Sequence, residues 1–149
     1  MKKKVVLVIG LIVLLSLGGC LYYTYNVKGN FLETNNKDTS EKVSMIIKEG
    51  TTTSATVVIR NRSNKELTSG AWFRIDELEN DGNWKKVKTI NDKYGFIAIA
   101  WIINPQGEFE DKLEWSKLYG RLRKGHYRIV KEVYYNGNKI ELYAEFDIK

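Results

Sequence analysis

Residues 118–131 read LYGRLRKGHYRIVK, and this stretch decides the fold. Leu122, a gap of two, Gly125, a gap of one, Tyr127 and then Ile129 form the outline of a tyrosine corner. In that motif the chain turns into a strand of a two-layer β-sandwich. The ring packs inward and its hydroxyl bonds to backbone a few residues upstream. Gly125 is expected to permit the tight backbone path. Gly125 and Tyr127 are thus read as structural corner residues.

Downstream, Asn136-Gly137 is a two-residue hairpin signal. Counting back from it, Tyr127 faces Phe146, Ile129 faces Ala144 and Val133 faces Ile140, all on the core side. Outside, Arg128 meets Glu145 and His126 meets Asp147, opposite-charge pairs of a kind that contributes about 0.2–1 kcal/mol each. Two positions conflict with this register: Lys131 falls on the inner face and Glu132 faces Glu141. A bulge after Ile129 is the expected relief for Lys131.

Upstream, period-two patterning begins at Lys42. Val43, Met45 and Ile47 alternate as a first strand, and Ala55, Val57 and Ile59 as a second. Ala71, Phe73 and Ile75 mark one face of a third, with Trp72, Arg74 and Asp76 on the other. Asp81-Gly82 is a hairpin signal that returns the chain through Trp84, Lys86 and Val87. Residues 96–103, FIAIAWII, are too few to span a bilayer. They read as a strand buried on both faces, or as an extended segment under a loop. Residues 108–115 make a further strand, and helix is expected for no more than one turn near 116–119. The fold class is all-β, an antiparallel sandwich of seven to eight strands.

The segment LYGxLxxGxYR over 118–128 is similar to a bacterial immunoglobulin-like (Ig-like) domain of the kind attached to cell-surface lipoproteins. Trp72-Phe73-Arg74-Ile75 and the hairpin ending in Gly82-Asn83-Trp84 fit the same pattern, and the resemblance covers 42–149. It implies an immunoglobulin-like fold and a surface location; the family has no uniform activity. The Cys–Trp–Cys set of antibody domains is absent, and Ile129 stands where the second cysteine would be.

The N-terminus supplies an address. Lys2, Lys3 and Lys4 precede a run that is apolar from Val5 to Leu17 apart from Gly10 and Ser16, and Leu17-Gly18-Gly19-Cys20 follows. This is the layout of a secretory signal peptide. It resembles a bacterial lipobox, which implies cleavage before Cys20 and lipidation of that residue. Leu21, Tyr22 and Tyr23 keep the chain apolar past the cysteine. The alternative is therefore an uncleaved N-terminal anchor helix over 5–23, long enough for about 30 Å of hydrocarbon. Both place the following domain outside the cytoplasm. The domain plan is a leader over 1–19, Cys20 and a polar flexible tether to 41, and the sandwich over 42–149. The lone cysteine excludes an internal disulfide, so stability rests on the core.

The net charge of +6 falls to +3 once Lys2, Lys3 and Lys4 are removed. That is too mild to argue for nucleic acid, and no such motif is present. His126 is the only histidine, and no serine or cysteine motif supplies it with a nucleophile. One histidine and one cysteine do not make a zinc site. Glu108, Glu110, Asp111 and Glu114 are weighed as paired catalytic carboxylates, but strand alternation puts Glu108, Glu110, Lys112 and Glu114 on one solvated face. The chain is read as a non-enzyme with no cofactor and no metal.

Two surfaces are candidates for binding. Lys117, Arg121, Arg123 and Lys124 open an acid-free basic stretch that suits anionic lipid or an envelope polymer. Trp72 and Trp84 are candidates for an interface anchor or carbohydrate platform, unless a neighbouring loop such as 96–103 covers Trp72. The expected function is a membrane-anchored, non-catalytic binding or structural module whose partner is the membrane, an unknown protein or an envelope polymer. The alternative is a regulatory lipoprotein that binds a soluble ligand or inhibits a membrane partner.

Overall fold

The computed structural model describes residues 42–135 and 137–149. The leader, Cys20, the tether, the proposed anchor helix and Asn136 lie outside the described residues. Among the described residues there are eight strands: β1 (Val43–Gly50), β2 (Ser54–Asn61), β3 (Leu67–Leu78), β4 (Trp84–Lys86), β5 (Ala100–Ile103), β6 (Glu108–Glu114), β7 (Gly125–Tyr135) and β8 (Asn138–Ile148). All pairing is antiparallel. One sheet has the order β1-β2-β6. The other runs β4-β3-β7-β8, with β5 also on β3. Among the described residues no segment is helical beyond the turn in which Tyr119 and Gly120 donate to the carbonyls of Trp115 and Ser116.

Alternation places the core. Met45, Ile47, Val57, Ile59 and Leu113 from the smaller sheet meet Phe73, Ile75, Ile129, Val133, Leu142 and Phe146 from the larger. Trp115 is fully buried beside Phe146, and its indole N–H donates to the Thr52 carbonyl at 3.1 Å. At the opposite end Asn61 Nδ2 lies 2.8 Å from the Lys65 carbonyl and 3.0 Å from those of Ile103 and Asn104, tying β2 to β5. No buried side-chain polar atom of the described residues lacks a partner. All eight strands of the described residues and the core between their sheets lie within 42–149, which makes that span a folding unit.

The last hairpin has the register derived from its turn. Tyr127 pairs Phe146, Ile129 pairs Ala144 and Val133 pairs Ile140, and the ladder closes at Tyr135 and Asn138 beside Gly137 at φ 76°. The expected bulge after Ile129 is absent: β7 and β8 pair without interruption from Gly125 to Tyr135. Lys131 stays inside, fully buried, with Nζ 2.6 Å from Asp111 Oδ2 on the facing sheet and 2.9 Å from the Gly70 carbonyl. The irregularity lies on the neighbouring strand instead, where the β3–β7 register slips between Ser69 and Phe73. That slip removes Gly70 from the β7 ladder and leaves its carbonyl for the ammonium. Glu132 and Glu141 do face each other, and each has its own cation: Lys139 at 2.8 Å and Arg74 at 3.3 Å.

Residues 96–103 correct the sequence reading. Only Ala100–Ile103 is a strand, and it is an edge, paired with β3 alone. Ile103 is buried while Ile97, Ile99 and Ile102 are exposed, so the segment is covered on one face only. Apolar composition by itself does not distinguish these cases.

Removing one partner of a buried ion pair leaves the other charge without compensation, typically about 3–5 kcal/mol. Lys131→Met and Asp111→Leu singly should each lose stability of that order in denaturant unfolding of residues 42–149. The double variant should recover most of the loss. Additive losses in the double would show that the two groups do not depend on each other.

Candidate binding surfaces

The tyrosine corner is built as its motif requires. Tyr127 is buried against Phe146, with ring centroids 5.7 Å apart, and its hydroxyl donates to the Arg123 carbonyl at 3.1 Å. The same hydroxyl lies 3.3 Å from Glu77 Oε1. Burial, reinforced by the Glu77 carboxylate, pushes the phenol up to about 12. Gly125 matters for a reason other than backbone freedom. A Cβ there would lie 3.0 Å from the Tyr127 ring and 3.1 Å from both its hydroxyl and Glu77 Oε1. The positive φ in this region, 73°, belongs to Gly120.

On this frame Lys117, Arg121, Arg123 and Lys124 are all exposed. Among the described residues none of the four has a carboxylate within ion-pair distance. Backbone bonds hold the turn: Leu122 N–H donates to the Thr52 carbonyl at 2.8 Å, and Ile90 N–H to that of Leu118 at 2.8 Å. The charges are exposed at their tips on a backbone held by these bonds.

The outer face of the larger sheet is different. Asp76 is buried there, accepts from Arg74 Nε at 2.8 Å and from Arg128 Nε at 2.9 Å, and lies 2.9 Å from Arg128 Nη2. Arg128 therefore does not pair with Glu145, although the two are opposite in the ladder. Its guanidinium puts Nε and Nη2 both 2.9 Å from Oδ2 of the buried Asp76. It also stacks 4.5 Å over Trp84 and 5.2 Å over Tyr143. Trp84 is half-buried, with one ring face under this arginine and His126 5.5 Å away. Trp72 is half-buried, with the Arg74 guanidinium 5.9 Å from its ring. The two tryptophans are thus engaged by arginines of their own sheet rather than presented bare.

His126 takes the place that Arg128 leaves. Its Nδ1 lies 2.7 Å from Asp147 and its Nε2 3.1 Å from Glu145. Both bonds form together only when both nitrogens carry hydrogen. Partial burial pulls its pKa down, but the bonds to Asp147 and Glu145 outweigh this and raise it above the usual 6.5. Neither nitrogen meets a hydroxyl or a thiol. The acidic strand β6 is equally occupied: Glu108, Glu110 and Glu114 pair with Arg60, Lys48 and Lys112, and Asp111 with Lys131. An open depression at the β3–β4 hairpin is lined by Glu77, Leu78, Glu79, Asn80 and Asp81.

Sequence reasoning missed the Asp76 cluster and the exposed isoleucines. A charge inside an alternating strand was the available signal for the first. For the second there was none, since an apolar run reads as core.

Two pH dependences follow from these sites. The Tyr127 contribution to stability is complete below about pH 10, the unfolded value, and is lost as pH rises through about 12. Tyr127→Phe should lose about 1 kcal/mol at neutral pH and show a shallower alkaline decline in unfolding free energy. The His126 contribution is complete below 6.5 and disappears as pH rises through its raised folded value. Proton NMR titration should place that value above 6.5, and His126→Gln should flatten the corresponding step.

The model of the bacterial Ig-like domain family matches residues 35–147. No curated protein matches the chain. Among solved structures the chain is similar to a Northeast Structural Genomics Consortium target, at 10% identity over 78% of each chain with a TM-score of 0.39. It is also similar to a protein from Archaeoglobus fulgidus, at 14% identity over 73% of this chain and 97% of that one, with a TM-score of 0.27. The fold rests on the strand pairing and on the family match rather than on these scores. Eight antiparallel strands in two sheets, closed by the corner at Tyr127 and matched by that family over most of their length, place the chain in the bacterial Ig-like domain family.

Proposed function

We propose that this chain is a membrane-anchored lipoprotein whose Ig-like domain works outside the cytoplasm as a non-catalytic binding module. The basic corner meets an anionic component of the cell envelope. The observation that carries this is the set of exposed cations without carboxylate partners, Lys117, Arg121, Arg123 and Lys124, on a turn fixed by the Tyr127 hydroxyl. Lys48, Arg60, Lys85, Lys112 and Lys139, by contrast, each pair with a carboxylate. A patch left uncompensated on a rigid support attracts an anionic partner over a Debye length of about 8 Å at physiological salt. The leader and the LGGC sequence ending at Cys20 supply the address.

The anchoring is tested in cells by fatty-acid labelling and by external protease. The parent chain should incorporate label and be cut from outside, while Cys20→Ala should lose the label and accumulate with its leader. Label retained by Cys20→Ala, or a parent protected from protease, would exclude this reading. The corner is tested separately by retention of residues 42–149 on isolated envelopes. Retention should fall several-fold in Arg121→Glu/Arg123→Glu and with added salt, and should be unchanged in Trp72→Ala.

A further inference from the structure

Four of the five large exposed hydrophobic side chains among the described residues come from one stretch: Ile90 at 68%, Ile97 at 69%, Ile99 at 41% and Ile102 at 62%. Single exposed apolar residues are ordinary; a concentration of them marks a contact surface. The stretch is not loose. Phe96 turns inward, edge-on to Phe73 at 5.3 Å, and Tyr94 sits edge-on to Phe96 at 5.4 Å. With those rings seated, the isoleucines on either side face out.

The stretch starts against the basic corner at Ile90 and runs from there along β3 to its N-terminal end, where Ile102 pairs Thr68. Ile90 donates its N–H to the Leu118 carbonyl at 2.8 Å, and a Cβ on Gly120 would come 3.4 Å from Ile90 Cδ1. Tyr119 reaches the same aromatic cluster, 6.5 Å from Phe73. Across residues 88–103 and 115–124 stand Lys88, Lys93, Lys117, Arg121, Arg123 and Lys124, with Asp92 as the one acidic residue. Asp92 accepts from Thr89 Oγ1 at 3.2 Å, and no cation of the six has a carboxylate at ion-pair distance among the described residues.

We propose that this combined face docks on an anionic lipid bilayer, with the isoleucines entering the headgroup–acyl boundary while the cations meet lipid phosphates. A polyanionic wall polymer would satisfy the cations and leave the isoleucines in water, so the bilayer is the partner that uses both. The proposal rests on the reading of the domain as membrane-tethered. On that reading only the 22 residues from Cys20 to 41 separate the domain from the surface. At that range even a weak contact is populated.

Residues 42–149 are mixed with vesicles of phosphatidylcholine alone or with added phosphatidylglycerol, and bound protein is measured by co-sedimentation. The fragment should bind the anionic vesicles, release with salt, and ignore the neutral ones. Ile97→Ser/Ile99→Ser and Lys117→Glu/Arg121→Glu should each weaken binding by about tenfold or more, with circular dichroism unchanged because all four side chains are exposed. No binding to anionic vesicles would overturn the proposal. Loss in the charge variant alone, with the isoleucine variant binding the anionic vesicles as the parent does, would also overturn it, since that identifies a polyanion as the partner. A fragment that binds vesicles while Cys20→Ala stays labelled in cells refutes the tether and leaves the docking face standing.

Discussion

An ammonium held between two β-sheets sets the terms for the rest of this domain. Lys131 and Asp111 sit on facing sheets, 2.6 Å apart, with the lysine fully buried. Desolvating two charges costs several kcal/mol per ion, and their attraction offsets this only when the geometry is held. The sandwich holds it from three directions. β7 supplies Lys131 from an uninterrupted ladder, β6 supplies Asp111 from the other layer, and the slipped register of β3 frees the Gly70 carbonyl as a second acceptor. A one-residue slip of β6 or β7 within its own sheet would carry one of these groups to the wrong face. The pair therefore works as a register key in a domain that has no disulfide to fix its layers.

The outer face of the larger sheet answers to a second buried charge. Asp76 collects two arginines, and the arginines in turn lie over Trp72, Trp84 and Tyr143. Each cation–π contact contributes about 0.5–2 kcal/mol depending on its desolvation. Val130, between these groups on the outer face of β7, is as inaccessible as any core residue. A face so filled by its own side chains has little bare aromatic surface to give a ligand. The groups with unmet demands lie elsewhere, on the corner and along the edge of β3.

Much of the fold was legible because its signals are local. The corner spacing around Tyr127 and the alternation of Ile129, Val133, Ile140 and Ala144 each constrain a few neighbouring positions. What was not legible depended on contacts between distant strands. Lys131 and Asp111 are each out of place in their own strand: one drew the expectation of a bulge, the other alternates with Phe109 and Leu113 on the inner side of β6. Read together, two misfits of opposite sign on inner faces are a pairing signal. Arg128 shows the reverse case, since its cross-strand neighbour Glu145 was read correctly while its ion-pair partner, Asp76, lies on the next strand over. Register says which residues are opposite, and long side chains decide for themselves which neighbour to reach.

The exposed isoleucines raise a question that folding alone does not answer. β3 is twelve residues long and pairs β4 near its C-terminal end and β5 near its N-terminal end, so the chain between them must cross an open edge. Phe96 and Tyr94 are enough to pin that crossing, because they complete the aromatic cluster around Phe73. Polar β-branched residues would serve the backbone equally well at 97, 99 and 102, and would avoid an edge strand with apolar side chains in water. Keeping isoleucine there carries a cost in solubility that the sandwich does not require. Those side chains are the ones that the proposed bilayer contact would take out of water.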